Sequence, residues 1–519
     1  MAKQKETSLF FKALKWVERV GNRLPHPFFM FLSMAVLVLV LSYLLKGLSV
    51  TYVMAGSGGS EAKEVTASVV NLLSADYIKK SMINFVNTYK NFSPLGLIMV
   101  MMLSIGFAQD TGLFDAVLRK TLMSAPVYMV TFVLSLVGVC ANIASNAGIV
   151  FAITIGAALF ASLKRNPILG ALTGYVSVFG AFSANLAIAG TDVLLAGITE
   201  SAATGMGIIA PTHPMINYFY MAAASFVVAI IVTIITEKVM VKVVTIGNDF
   251  EHQELSDVLK TEQNRGLKYA GITALVYLLV ILSLTVPSNA FLRAENGSLL
   301  PSSPFVSSIV CILFFAFLFI GCAYGIGAGT IKSQKDIPAL MSNGLRGSLM
   351  FFAVAMPAAF FVQFFNDSQL AAILSVNGGE LLKSMNLTGI PLAVMFVLFC
   401  TFLNLFMTGA SEKWMILAPI FVPMFATMGF SPALTQLCYR IGDSCTNPIA
   451  PVSYFIPIVI GVMAQYCKDE KERDSIGIGT LISMTLPYSI ALLIGLISLL
   501  VIFMLLGLPI GPGTSLFLE

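Results

Sequence analysis

The sequence predicts an all-α polytopic membrane protein, with about nine transmembrane helices, two re-entrant helical hairpins and two inverted-topology repeats. Three observations carry that prediction. Hydrophobic residues make up 57% and charged residues 11% of the 519 positions, and the mean hydropathy of +0.89 lies outside the range of soluble domains. Apolar runs of spanning length recur along the chain. Two longer apolar stretches also break down alike: Gly180-Ala-Phe-Ser-Ala-Asn185 ends 43 residues after Asn142, and Gly442-Asp-Ser-Cys-Thr-Asn447 ends 43 residues after Asn404. Only six identities fall in those 44 columns, at an offset of 262. Polar, helix-breaking residues are costly at membrane depth unless they line an enclosed site, so the paired breaks point to a transporter binding centre.

In chain order, residues 1–24 form a basic, cytoplasmic N-terminus, and 25–93 hold the first span (25–46) and an outward loop. That run follows Lys12, Lys15, Arg19 and Arg23 and is longer than a cleavable signal core. Repeat 1 covers 94–203, with a span at 94–118, a hairpin at 126–164 and a broken helix. Connecting spans at 214–239, 268–287 and 304–325 lie within 204–342, with a cytoplasmic loop at 240–267. Repeat 2 covers 343–466, with a span at 343–366, a hairpin at 391–430 and a second broken helix. The last span (475–505) and an outward C-terminus occupy 467–519.

Basic residues set the orientation. Arg119-Lys120, Lys164-Arg165, Lys332, Lys335 and Lys468–Arg473 all belong in the cytoplasm. Arg119-Lys120 and Lys164-Arg165 share a side only if the stretch between them enters and leaves on that side, which makes it a hairpin. Repeat 1 then starts outside and repeat 2 inside. Each repeat has a polar break after its first span, at Ala108–Leu113 and at Phe365–Leu370.

A helix that stops inside the membrane leaves backbone N–H and C=O groups free, and these ends bind carboxylates and cations. Candidate substrate contacts are Asn142, Ser145, Asn146, Ser183 and Asn185 in the first repeat. In the second they are Asn404, Ser411, Trp414, Arg440, Thr446, Asn447 and Pro451. Asn142, Asn185, Asn404 and Asn447 are candidate oxygen ligands for Na⁺. Asp192 and Asp443 are the acidic groups of the core and the candidate ion-coupling residues. Arg440 lies one helical turn before Asp443, so a local ion pair is one expectation. Asp192 has no local partner. Glu412 and Lys413 either meet the substrate or pair with each other, and Trp414 is placed to stack on an aromatic ring.

No H-E-x-x-H, G-x-S-x-G or Walker pattern occurs, so an enzyme is not expected, and no cofactor is implied. The net charge of +4, spread over loops, gives no nucleic-acid patch. The seven cysteines lie in or at the ends of apolar runs without a C-x-x-C pair and read as small buried hydrophobes.

Phe-Ser-Ala-Asn185-Leu with Thr191-Asp192, Ala418-Pro-Ile-Phe-Val-Pro423-Met, Tyr439-Arg-Ile-Gly-Asp443-Ser and Gly477–Ser489 resemble the AbgT family of p-aminobenzoyl-glutamate transporters, as does Trp16–Pro27. The resemblance runs over nearly the whole chain. It implies a homodimer of the ion-transporter superfamily in the bacterial cytoplasmic membrane, moving p-aminobenzoyl-glutamate or exporting sulfonamide-type antimetabolites. The driving force it implies is an ion gradient, and the core carboxyls of Asp192 and Asp443, placed to pick up and release protons, favour H⁺ over Na⁺. Family functional positions fall on Asp192, Ser411, Trp414, Arg440, Asp443 and Pro451, and more loosely on Asn404 and Pro432. The likeness is weakest at the hairpin tips, around Asn142–Asn146 and at Glu412-Lys413. An aromatic amide with two carboxylates independently suits helix N-termini, a Trp and a nearby cation. The rivals are a Na⁺-coupled di- or tricarboxylate symporter, which predicts two Ser-Asn-Thr tips, and a channel or membrane scaffold, which needs no paired breaks.

Overall fold

Pro27 opens the first helix, α1 (Pro27–Leu44), at the position where a missing N–H costs nothing, and the His26 side chain accepts from Phe28 N. The structure is a computed structural model that describes residues 25–54, 63–205, 207–208, 210–247, 259–300, 303–346, 348–451, 453 and 455–518. Among these, seven helices are long and apolar enough to cross a membrane, or up to nine if each of two bent pairs counts as one span. The all-α polytopic class is therefore what the chain adopts.

The expected outward loop after α1 carries secondary structure of its own. It contains an antiparallel hairpin, β1 (Ser49–Met54) and β2 (Lys63–Ser68), and two short helices, α2 (Ala75–Ile83) and α3 (Phe85–Lys90). The run expected as one span at 94–118 is instead α4 (Ser93–Asp110) and α5 (Leu113–Met123), bent by 54°. Gly112 makes that bend at φ +88°, a left-handed conformation glycine adopts without penalty. At the second polar break Gln369, also at a positive φ (+62°), separates α14 (Leu349–Asp367) from α15 (Leu370–Ser384), and α15 bends by 114° into the helix that follows.

Each bent element leads into a helix pair with a polar tip. The first is α6 (Val130–Cys140) and α7 (Ser145–Ser162), joined by a 3₁₀ turn at Ala141–Ala144. The second is α16 (Gly389–Asn404) and α17 (Ala410–Ala426), and Pro419 and Pro423 lie inside the returning arm. A broken helix follows each pair: α8 (Pro167–Phe179) then α9 (Gly190–Thr204), and α18 (Pro432–Thr446) then α19 (Ile456–Ala464). Both first arms start with a cap and a proline, Asn166-Pro167 and Ser431-Pro432. Asn166 accepts from Ile168 N, and Ser431 from Leu434 N. Every residue of α8 and of α18 is buried, so these two arms form the axis of the core.

The remaining long helices are α10 (Tyr218–Ile234), ending in a π turn at Ile235–Met240, α11 (Thr261–Thr285), α12 (Ile309–Ala328) and α20 (Ile478–Leu506). A short amphipathic helix, α13 (Asp336–Arg346), touches α4 backbone to backbone where Gly344 meets Gly106.

Contacts between loops sort the molecule into two faces. One is held by the Arg165–Glu237 ion pair (2.5 Å) and by Gly247 N donating to Glu472 (2.8 Å). The other is closed by the C-terminal segment. His213 Nε2 donates to Pro512 O (2.9 Å), Thr514 to Ile216 O (2.8 Å), and Ser431 to Ser515 O (2.7 Å).

Candidate functional site

Gln436, Tyr439, Arg440 and Asp443 of α18 and its C-cap Asn447 follow one another at spacings of 3, 1, 3 and 4 residues, which places them along one side of the helix. Nothing can solvate that stripe in the core, so every charge on it needs a partner. The partners come from three other elements.

Arg440 reaches the first break. Its Nη2 donates to Asp192 Oδ1 at 2.6 Å and to Phe182 O at 2.6 Å, while Nε donates to the same carbonyl at 3.2 Å. Asp192, in the first turn of α9, also accepts from Ala189 N at 2.7 Å. One guanidinium thus holds a carbonyl freed after α8 and the carboxylate that caps α9. The local pair expected between Arg440 and Asp443 is corrected to a pair with Asp192, and Asp192 has the partner that sequence proximity did not offer. The two pair because the chain crosses itself at the break, bringing positions 248 residues apart into contact.

Asp443 pairs with Lys413, in the first turn of α17. Lys413 Nζ also donates to Asn404 Oδ1. The Glu412–Lys413 pairing is therefore corrected as well: Lys413 turns inward, and the Glu412 carboxylate folds back beside Gly409. Asn404, the last residue of α16, donates through Nδ2 to Asp443 O (2.7 Å), Asn447 Oδ1 (2.7 Å) and Thr446 Oγ1 (3.1 Å). Asn447 returns a longer contact to Asp443 Oδ2 at 3.4 Å. Both ion pairs are almost wholly excluded from solvent, with side chains 1–3% exposed.

Trp414 is fully buried, stacked on Tyr439 with ring centroids 4.6 Å apart, and its Nε1 donates to Thr199 Oγ1 at 2.8 Å. Thr199 donates on to Gln436 Oε1 (2.5 Å), and Gln436 Nε2 to Asn217 Oδ1 (2.9 Å). Trp414 thus finds its aromatic partner inside the protein. The structure adds Thr199, Gln436, Asn217 and Tyr439 to the residues expected at the site. The stripe on α18 was the available signal for Gln436 and Tyr439.

The first hairpin tip is tied down similarly: Asn142 Nδ2 donates to Val178 O (3.0 Å) at the end of α8. Asn185 Oδ1 accepts from Ala187 N (3.2 Å), closing a turn inside the break. Ser183 Oγ is buried with no hydrogen-bond partner among the described residues. Ser411 is half-buried at the tip of the second hairpin, and Pro451 is buried in the turn after the 3₁₀ segment Asn447–Ile449. Ser145 and Asn146 begin α7, but their side chains lie outside the described residues. The oxygens expected to hold Na⁺ are otherwise engaged in the second repeat. Asn404 Oδ1 and Asp443 Oδ1 both accept from the Lys413 ammonium, and Asn447 Oδ1 accepts from Asn404 Nδ2.

The sequence profile of the AbgT transporter family matches residues 12–518. The chain is 33% identical over 502 residues to the p-aminobenzoyl-glutamate transport protein of Escherichia coli (strain K12), covering 97% of this chain and 96% of that one. Two solved structures have the same fold. The MtrF protein of Neisseria gonorrhoeae, described as illuminating a class of antimetabolite efflux pumps, has a TM-score of 0.87 at 34% identity, over 97% of this chain and 100% of that one. The YdaH transporter of Alcanivorax borkumensis, described as having an unusual topology, has a TM-score of 0.84 at 31% identity, over 94% of this chain and 100% of that one. With a family match across nearly its whole length and a multi-pass helical fold shared with both transporters, this chain belongs to the AbgT family and is a membrane transporter rather than an enzyme.

Proposed function

We propose that the protein is a secondary active transporter of p-aminobenzoyl-glutamate and related aromatic carboxylates, with sulfonamide-type antimetabolites as exported cargo, coupled to H⁺. The E. coli relative's name and the N. gonorrhoeae pump support the cargo class. The observation that carries the coupling is the pair of buried salt bridges, Arg440–Asp192 and Lys413–Asp443. A proton on either aspartate cancels its charge and leaves its cation unpaired, and an unpaired buried cation recruits another carboxylate. A cargo with two carboxylates is matched to two such cations. Proton binding and substrate binding then favour each other, as linkage requires.

On this reading the two helical repeats are inverted, the face held by Arg165–Glu237 is cytoplasmic, the membrane is the bacterial cytoplasmic membrane, and the protein is a homodimer. Ser183 supplies a free hydroxyl beside the first break. Na⁺ coupling at the second break is disfavoured because Lys413 already sits between Asn404 and Asp443.

The test is flux of labelled p-aminobenzoyl-glutamate and of a sulfonamide in proteoliposomes under imposed H⁺ or Na⁺ gradients. A pH gradient drives flux, and a Na⁺ gradient at constant pH does not. Asp192→Asn and Asp443→Asn lose the pH response, and Trp414→Ala lowers the rate at least tenfold. Movement of neither compound under either gradient, by folded protein, overturns the cargo assignment. A wild-type pH response in both aspartate variants overturns the coupling.

A further inference from the structure

A second polar chamber lies away from the two salt bridges. It has a volume of about 450 Å³ and opens to the surface between α2–α3, the end of α9 and the end of α14. That volume is within the range of small-molecule sites, roughly 300–1,000 Å³. Asn366 packs directly on Gly205 at the end of α9, eight residues before His213, which meets the C-terminal segment at Pro512.

Its lining is unusual for a helical membrane protein. Asn84, Asn87 and Asn91 follow one another at helical spacing on one wall, and Gln363 and Asn366 face from α14. The side-chain amides of Asn87, Asn91, Gln363 and Asn366 make no hydrogen bond among the described residues, so donors and acceptors are left free. A single cation, Lys80, lines the wall. Asp367 lines the same chamber, where Tyr77 donates to its Oδ2 at 2.7 Å, and it forms no salt bridge with Lys80. An amide ligand finds both donors and acceptors here, and a carboxylate finds the ammonium. A purely apolar molecule finds neither.

The chamber is continuous in structure with the centre. Ser201 and Thr204, which line it, are two and five residues beyond Thr199, the residue that holds Trp414. At 1.5 Å rise per residue that is roughly 3 to 8 Å along α9.

We propose that this chamber is a second ligand site, for an N-acylated amino acid whose carboxylate is held by Lys80 and whose amide is held by the Asn and Gln side chains. It works in series with the central site on the outward side. The proposal rests on the cargo class and orientation proposed above.

The experiment is equilibrium binding to the purified full-length protein, using p-aminobenzoyl-glutamate and N-acetyl-glutamate, which lacks the ring. Flux is measured separately. The expected result is two binding events for p-aminobenzoyl-glutamate and one for N-acetyl-glutamate. Lys80→Met and the double variant Asn87→Leu/Asn91→Leu weaken the outward event at least tenfold, and Lys80→Arg retains it. Trp414→Ala removes the central event and keeps the outward one. In vesicles, the chamber variants raise the half-saturating concentration for cargo added outside and leave that for cargo added inside unchanged. A single binding event in the wild type, or affinities in Lys80→Met and the double variant equal to wild type, overturns the proposal. Binding at the chamber without flux in any gradient overturns the transport reading and leaves the chamber standing.

Discussion

Lys413 shows how a single side chain changes what an oxygen cluster binds. Its ammonium contacts Asn404 Oδ1 and Asp443 Oδ1 in a site where it is 3% exposed. Removing one partner of a buried pair typically costs about 3–5 kcal/mol, because the remaining charge stays desolvated. Lys413→Met is therefore expected to unfold at a lower temperature than wild type. Part of the loss returns in NaCl and not in choline chloride, because Na⁺ then has two oxygens free to take. Thermal unfolding in the two salts checks this, and a variant indifferent to the cation would sink it. The residue types of this site were legible in the sequence, whereas the pairing was not. Asp192, Arg440 and Asp443 stand out as charges in apolar surroundings, but partners 248 residues apart, such as Arg440 and Asp192, are joined by topology and leave no trace in local spacing.

Among the elements, the close contact of α7 with α8 makes the small residues indispensable. A Cβ on Gly170 would lie 2.0 Å from Gly156 O, and one on Gly174 would lie 2.1 Å from Ala152 O. Small residues let membrane helices approach until their backbones touch, and overpacking such a contact costs about 1–3 kcal/mol or more. Gly170→Ala is expected to lower the unfolding midpoint and the folded yield. Gly271→Ala, where a Cβ meets nothing within 4 Å, is the control that leaves both unchanged. Equal midpoints for the two variants would contradict the packing. Hairpins and broken helices were legible because Asn, Gly, Ser and Pro interrupt apolar runs at matching places. The helices α5 and α15 were not: the polar breaks at Ala108–Leu113 and Phe365–Leu370 marked where a span ends, but not that a helix restarts after the positive φ of Gly112 and Gln369.

Across the whole molecule, the C-terminal segment acts as a strap over the face opposite Arg165, with His213 as its fastening. His213 donates through Nε2 to Pro512 O and accepts at Nδ1 from Met215 N, an arrangement available only to the neutral ring. Burial pushes its pKa down to about 4, partly opposed by the bond to Pro512. The folded state thus binds fewer protons than the unfolded one between about 4 and 6.5, so the stability this residue contributes is complete above 6.5 and falls away as pH drops towards 4. Discounted for partial exposure, the loss is on the order of 2 kcal/mol. Thermal unfolding at pH 7 and pH 4.5 should show a larger drop for wild type than for His213→Gln, and equal drops would exclude the strap's titration.

The alternation of Asp192, Arg440, Asp443 and Lys413 has a consequence for how the membrane voltage acts on the protein. Two anions and two cations sum to zero, so a core that swings between the two sides empty carries no net charge through the field. Each uncompensated charge would otherwise add or remove roughly 2.3 kcal/mol per 100 mV. On the coupling proposed above, a core with both aspartates protonated and a dianionic cargo bound is neutral too. The resting potential then biases neither the loaded nor the empty half of the cycle, and direction follows from the concentrations on the two sides alone.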